Sequence, residues 1–373
     1  MKVDYLVVGS GLSGAIFARE ATRRGKRCMV IEKREQAGGN IRCETREGIN
    51  VHLYGAHIFH TSQQEVWDYV NRLTPFNHFI NSPLAYYRGR LFNLPFNMNT
   101  FYQLWGCITP DEARAEIARQ VEEATVSRAP TNLEEQALAL CGKDIYLHLI
   151  KGYTEKQWGR EATALPPEII RRVPLRFTFD NNYFNDTCQG IPVGGYNRLM
   201  EKLLEGIEVR LACDFFDDRP YFESIADKIL YTGRVDDFFN RSLGTLEYRS
   251  LHFDHQLLEQ ADFQGNAVVN YTERAVPYTR IIEHKHFEFG TQPHTVITRE
   301  YPDEYSRDHE PYYPVNDARN EALLARYREL AATRDRVIFR GRLAEYKYHD
   351  MDDTVASILQ LIKTEFHEDN EQP

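Results

Sequence analysis

A glycine pattern near the start of the chain constrains its fold more than any other feature. Gly9-Ser10-Gly11-Leu12-Ser13-Gly14 follows the apolar run Tyr5-Leu6-Val7-Val8, and Glu32 closes the next apolar run, Cys28-Met29-Val30-Ile31. A strand, a glycine turn, the helical stretch Ala15 to Arg24 and a second strand ending in an acid form the opening of a dinucleotide-binding α/β unit. Gly9 permits the tight turn, Gly11 lets backbone amides approach a diphosphate, and Gly14 lets the helix lie close to the sheet. Glu32 is placed to hold ribose hydroxyls. A second pair, Gly38-Gly39 followed by Asn40, gives the chain another place to approach the diphosphate, which favours FAD over NAD.

Such a unit cannot occupy the whole chain. At 373 residues the protein exceeds the size at which one core stops growing, so two or three packed units are expected. The net charge of −10 argues against nucleic acid or an anionic membrane as the main partner, so an anionic ligand needs a local cationic cluster. The six cysteines are dispersed without a CxxC pair, which suggests neither a disulfide framework nor a zinc site and fits the cytoplasm. No apolar run approaches a membrane span, and the first residues read as strand and phosphate loop, not as a signal peptide.

The expected architecture is α/β: a discontinuous Rossmann-like FAD-binding domain with an inserted helical domain and an antiparallel β-sheet domain. Strands at Ile207 to Leu211, Lys228 to Gly233 and Val337 to Arg342, with a helix from Met351 to Phe366, return to the nucleotide domain, which is assigned to 1–75, 190–240 and 315–373. Pro110-Asp111-Glu112 opens a helical stretch, and 96–159 is read as the helical domain. Residues 76–95, 160–189 and 241–314 are assigned to the sheet domain. Within it Arg176 to Phe184, Phe287-Glu288-Phe289 and Thr295 to Thr298 read as strands from their aromatic and β-branched content.

Tyrosine and phenylalanine are abundant, at 22 and 21, and many tyrosines sit beside proline or arginine instead of within an apolar period. Arg171-Arg172-Val173-Pro174, Val276-Pro277-Tyr278-Thr279-Arg280 and Glu310-Pro311-Tyr312-Tyr313-Pro314 put cationic forks and phenol donors on rigid segments, a pattern suited to a diphosphate. Lys151 to Gly159 offers Tyr153, Thr154 and Trp158 for base stacking and phosphate contact, with packing of both aromatics in a core as the competing reading. His57-Ile58-Phe59-His60 has the spacing of one helical turn, but no acidic or cysteine partner lies nearby in sequence, so metal binding is not expected. Contact with the flavin ring or a sugar and a structural role remain equal readings there. His284-Lys285-His286 reads as solvent-facing residues on a strand. No nucleophile elbow or selectable carboxylate pair is present, which leaves the cofactor as the reactive group.

Taken together the motifs resemble those of the prokaryotic UDP-galactopyranose mutases over essentially the whole length. The resemblance rests on the glycine loop through Ala15, Gly38-Gly39-Asn40, Tyr54 to Thr61, Lys151 to Gly159, Asp180 to Phe184, Val276 to Arg280 and Gly341 to Met351. It implies an intramolecular transferase, an isomerase without net redox change, that interconverts UDP-galactopyranose and UDP-galactofuranose. The reaction it implies proceeds through a covalent adduct of reduced flavin N5 with the sugar anomeric carbon, and feeds galactofuranose into cell-surface polysaccharide. It also implies FAD active when reduced, NAD(P)H or another electron donor as reductant, a cytoplasmic location and a homodimer.

By the same resemblance Arg172 and Arg280 hold the diphosphate with Tyr183, Tyr313 and Tyr348, and Arg172 lies on a loop that closes over substrate. Tyr153 stacks on uracil, Thr154 and Trp158 line the UDP site, Phe184 closes it, and Asn81 and Asp350 lie near the substrate. His60 sits close to flavin and galactose. The implied flavin contacts are Gly9, Ser10, Gly11, Ser13, Gly14, Glu32, Lys33, Gly39, Asn40 and His57, joined from the last segment by Arg342 and Met351. Two positions depart from the pattern: Arg234 stands where proline is expected, and His349 replaces an aromatic or aliphatic residue. The rival readings are a flavin amine oxidase or desaturase with the same domain plan, which has no use for paired arginines, and a sugar-nucleotide-binding protein with a structural or lost flavin, against which the intact glycine fingerprint stands.

Overall fold

The computed structural model describes residues 2–124, 129–170, 173–306 and 309–367. Its central element is the strand Val3–Val8, in which Leu6 and Val7 are fully buried, as expected of a strand covered on both faces. Five parallel strands form this sheet in the order Val337–Phe339, Ala226–Tyr231, Val3–Val8, Cys28–Ile31, Glu208–Arg210. Strands distant in sequence are thus neighbours, as the expected return of the chain to this unit requires. The helix Leu12–Arg23 covers one face and packs against Tyr196–Leu204 and Met351–Glu365. Tyr5 holds Phe17 and Phe366 edge-on at 5.2 and 5.9 Å. The other face is filled by Leu6, Met29 and Ile31 against Phe215, Phe222, Phe238 and Tyr327.

A second sheet of seven strands runs Tyr313–Pro314, Tyr248–Leu258, Thr295–Glu304, Arg280–Glu283, Val268–Tyr271, Leu84–Tyr87, Arg90–Asn93. All its pairings are antiparallel except the one between Val268–Tyr271 and Leu84–Tyr87. Helices Met98–Trp105, Pro110–Glu123, Leu133–Ile145 and Lys151–Trp158 build a separate core around Phe101, Ala113, Ala137, Cys141 and Ile145. Asn97 with Thr100 and Thr109 with Glu112 form capping boxes, and Pro110 occupies the first helical turn where its missing N–H costs nothing.

Three sequence expectations are corrected. Arg176 to Phe184 is not a strand: Arg176 donates to the carbonyls of Asn182 and Tyr183, and Asn97 donates to the Asp180 carbonyl, so side chains take the place of a ladder. Phe287-Glu288-Phe289 is likewise no strand, because His284–Glu288 winds into a 3₁₀ turn ending at Phe289 with φ +54°. His284 and Lys285 are therefore not solvent-facing. Both are buried, with the Lys285 ammonium donating to the carbonyls of Ala261, Gln292 and His294.

His284 belongs to a buried histidine group whose tautomers are legible. The His52 amide donates to His284 Nδ1 at 3.1 Å, so the His284 proton is on Nε2, which donates to Thr298 Oγ1 at 2.6 Å. The His57 amide in turn donates to His52 Nδ1 at 3.2 Å. Burial lowers His52 to about 3 and His57 to about 4, and drives His284 well below the ordinary histidine value. Between pH 6.5 and about 4 the unfolded chain takes up protons that the folded chain refuses, so stability present above pH 6.5 is lost as the pH falls. At pH 5 the loss is roughly 2 kcal/mol for the fully buried His52 and smaller for His57, which lines a large cavity. Chemical unfolding at pH 7 and pH 5 is expected to show this decline, reduced in His52→Gln; equal stability at the two pH values contradicts it.

Candidate active site

The glycine turn is set by close approaches that no larger residue tolerates at two of its positions. A Cβ on Gly9, which has φ +103°, would lie 2.2 Å from Thr232 Oγ1, and one on Gly14 would lie 2.0 Å from the Gly9 carbonyl oxygen. Gly14 therefore does not line the cavity; it brings the helix onto the strand. Gly11 differs, having φ −69° and only the Gly39 Cα, at 3.8 Å, near its missing Cβ. Gly39 approaches from the other side, so two bare backbones face each other across the turn where Leu12–Arg23 begins. That helix start has no side-chain cap, leaving its first amides for an anion.

Glu32 is buried beside this turn. Its Oε2 accepts from the Ser10 amide and hydroxyl at 2.9 and 2.8 Å, and its Oε1 accepts from the Arg34 amide at 3.0 Å. Ser10 is fully buried and lies outside the cavity wall, so its hydroxyl orients Glu32 and does not meet a ligand. Ser13, Lys33, Gly39 and Asn40 line the cavity, with Arg34 donating to Asn40 Oδ1 at 3.1 Å. Lys33 and Arg34 both reach Glu310, at 3.7 and 2.9 Å.

One cavity of about 1350 Å³ is lined by this cradle and by Arg280, Tyr153, Tyr183, Phe184, Tyr313, Tyr348 and Asp350. Its volume exceeds that of an ordinary single-ligand pocket and leaves room for two ligands side by side. His57, Asn81, Arg342 and Met351 also line it. The His57 Nδ1–H donates to the Gly55 carbonyl at 2.8 Å, and burial keeps the ring neutral, so its Nε2 is a bare acceptor.

Strand register builds the cationic end. Asn270, Arg280 and Glu300 are direct partners across three adjacent strands. Arg280 Nη2 donates to Tyr153 Oη at 2.7 Å, and its Nε lies 3.1 Å from Glu300 Oε1, an ion pair whose angle is too poor for a hydrogen bond. Burial opposes the Arg280 charge, but the ion pair with Glu300 and the hydrogen bond to Tyr153 more than offset it, so the guanidinium remains a cation. Desolvation in the cavity wall also raises the phenols of Tyr153, Tyr313 and the half-exposed Tyr348, which stay neutral donors. Tyr313 stacks on Tyr348 at 5.8 Å, and Arg342 lies over the Tyr348 ring at 5.0 Å while donating to the Tyr312 carbonyl. This cluster is a fitting receptor for a diphosphate.

Two expected wall residues are placed elsewhere. Thr154 is buried within its helix, and Trp158 packs on the helical core that includes Ile170 and Val173, so neither lines the cavity. Of that segment only Tyr153 reaches it. Arg172 lies outside the described residues. His60 is not on a helical turn but on the strand Phe59–Thr61, and it has the acidic partner that sequence proximity did not reveal: Nδ1 is 2.7 Å from Asp186 Oδ2. Sequence reasoning also missed Asn270 and Glu300, which line the cavity. Asn270 Oδ1 is buried without a hydrogen-bond partner among the described residues. Only the long-range pairing with Arg280 marks those two, whereas Asp186 stood two residues beyond Phe184.

Comparisons with known proteins agree with this arrangement. Residues 7–73 match a model for an NAD(P)-binding Rossmann-like domain, and residues 148–348 match the GLF model, described as UDP-galactopyranose mutase. A probable UDP-galactopyranose mutase of Klebsiella pneumoniae is 39% identical over 96% of this chain and 93% of its own. A dTDP-fucopyranose mutase of Escherichia coli is 35% identical over 93% of this chain and 94% of its own. Among solved structures, a reduced UDP-galactopyranose mutase shares the fold with a TM-score of 0.73 at 15% identity, covering all of this chain and 95% of that one. The cradle is that of a dinucleotide-binding, Rossmann-like domain. With a family model across more than half its length and close relatives across nearly all of it, the chain belongs to the UDP-galactopyranose mutase family.

Proposed function

We infer that this family member interconverts UDP-galactopyranose and UDP-galactofuranose with FAD, in its reduced form, as cofactor. The observation that carries this reading is the shared cavity: the glycine cradle and the Arg280 cluster open into the same space. A dinucleotide and a sugar diphosphate can therefore meet without leaving the protein. The facing backbones of Gly11 and Gly39, the uncapped helix start and the buried Glu32 fit the diphosphate and ribose of FAD. When bound, the reduced flavin supplies the nucleophile, its N5, toward the anomeric carbon.

The rest of the chemistry falls to the chain. As the sugar leaves the UDP oxygen, negative charge grows on the diphosphate, and Arg280 meets it as a preorganised cation inside a partly closed cavity. Tyr313 and Tyr348 add neutral hydrogen-bond donors, which limits the electrostatic cost of releasing UDP again. Neutral His57 offers an acceptor on the cofactor side without adding a second cation. Arg172 completes the diphosphate clamp in this proposal.

Among the described residues no helix is long and apolar enough to cross a membrane. We place the enzyme in the cytoplasm as a homodimer, reduced by NAD(P)H or another electron donor and supplying galactofuranose for surface glycans. Incubating the reduced holoprotein with UDP-galactofuranose and, separately, with a dTDP-fucose furanose tests the substrate. Conversion of the first to the pyranose supports the reading, and conversion of the second alone overturns it.

A further inference from the structure

The strand that carries His60 is paired antiparallel with Cys188–Gly190, His60 opposite Gln189. The chain entering Cys188–Gly190 brings Asp186 to His60, with Oδ2 2.7 Å from Nδ1. Ser62 Oγ donates to the other oxygen, Oδ1, also at 2.7 Å. Burial pushes the Asp186 carboxyl up, and the bonds from Ser62 and His60 more than offset this, so it stays ionised. A carboxylate only accepts, which puts the His60 proton on Nδ1. Phe184 fixes the plane of the imidazole, stacked 3.6 Å from its centroid at 16°. Ser62 is on the far side of the carboxylate from the imidazole, so the trio is not a nucleophilic triad. Among the described residues Asp352 also lies near His60; its carboxyl is raised by burial and bonded to Thr61.

The ring is therefore held at one nitrogen, in plane, on the wall of the cavity. We propose that Asp186 is a positioning residue for the mutase reaction: it holds His60 in the Nδ1–H tautomer, so that Nε2 is offered as an acceptor to a sugar hydroxyl in the cavity. This rests on the sugar-nucleotide reading of the site, but its geometry can be tested apart from turnover. Free neutral imidazole favours the opposite tautomer, and Asp186 is what reverses that preference.

The test is nitrogen-15 NMR of the histidine side chains in the FAD-loaded protein, with the His60 signals identified by their loss in His60→Asn. Parent protein is expected to show the proton on Nδ1 and Asp186→Ala to show it on Nε2. Asp186→Leu, which keeps the side-chain bulk without any accepting oxygen, is expected to show the same switch and serves if Asp186→Ala does not fold. In turnover, Asp186→Ala is expected to lose about 10–100-fold in kcat with little change in KM. The double variant with His60→Asn loses no more than His60→Asn alone. A parent Nε2–H tautomer, an unchanged tautomer in Asp186→Ala, or additive losses overturns the proposal. Parent protein with the Nδ1–H tautomer and no mutase activity overturns the functional reading and leaves the tautomer assignment standing.

Discussion

Replacing Arg280 by alanine is expected to lower turnover by about 100- to 1000-fold while the flavin remains bound, the loss typical of removing a preorganised donor from developing charge. The size follows from its position: the guanidinium is the cation that strand pairing fixes between Asn270 and Glu300, with Tyr153 on one nitrogen. Nothing else in that row can meet a diphosphate with charge, since Asn270 is neutral and Glu300 is acidic. Alanine also leaves the buried Glu300 without its cationic partner, with only the Thr279 hydroxyl still donating to it, which costs stability. Arg280→Lys separates the effects, because it keeps a cation opposite Glu300 and loses the planar fork. It is expected to fold as the parent does and still lose about tenfold or more. Kinetics under dithionite, flavin absorbance and a denaturant titration together check this; near-parent turnover in both variants removes Arg280 from the diphosphate.

The second large effect is expected from Gly11→Ala. Gly9 and Gly14 are glycines for the fold's sake, since a Cβ on either would strike Thr232 or the Gly9 carbonyl. Gly11 has an ordinary φ of −69°, and its missing Cβ would meet only the Gly39 Cα, at an ordinary contact distance of 3.8 Å, so the empty protein tolerates a single methyl there. The need for glycine arises when a diphosphate approaches the bare backbones of Gly11 and Gly39. Alanine is therefore expected to leave the unfolding free energy of the flavin-free protein within about 1 kcal/mol of the parent value. Flavin affinity is expected to fall by about 100-fold or more, the cost of an imperfect approach to a charged ligand. Gly14→Ala is the control and is expected to destabilise the flavin-free protein itself. A Gly11→Ala protein that binds flavin as tightly as the parent would place the diphosphate elsewhere.

The contrast between these glycines shows what was legible in sequence. The strand, turn, helix and acid from Val3 to Glu32 were readable because every contact that defines them is local or follows from the parallel strand next door. The return of Ala226–Tyr231, Val337–Phe339 and Met351–Glu365 to this unit was readable from apolar period alone. Arg280 and the tyrosines stood out as cationic and phenolic residues on proline-bounded segments. Their neighbours did not: Asn270 and Glu300 acquire meaning only through strand register, which no local pattern encodes.

Where aromatic content was read as strand, side chains had displaced the ladder. Arg176 and Asn97 tie Asp180 to Asn185 by their own donors, and the aromatic residues there serve the cavity instead of a sheet. His284 reads as polar and exposed in sequence, yet a neutral imidazole with both nitrogens satisfied can be buried. Trp158 shows the converse, an aromatic beside a predicted site that the helical core takes up.

In the reaction proposed for this protein a redox cofactor is used without net redox change. The most direct test is one assay run twice on the same FAD-loaded protein, with UDP-galactofuranose and anaerobic conditions throughout, once oxidised and once after dithionite reduction. The prediction is conversion to UDP-galactopyranose only after reduction, with the flavin still reduced when the sugar has reached equilibrium. Equal conversion by the oxidised protein, or reoxidation of the flavin in step with product, would contradict it.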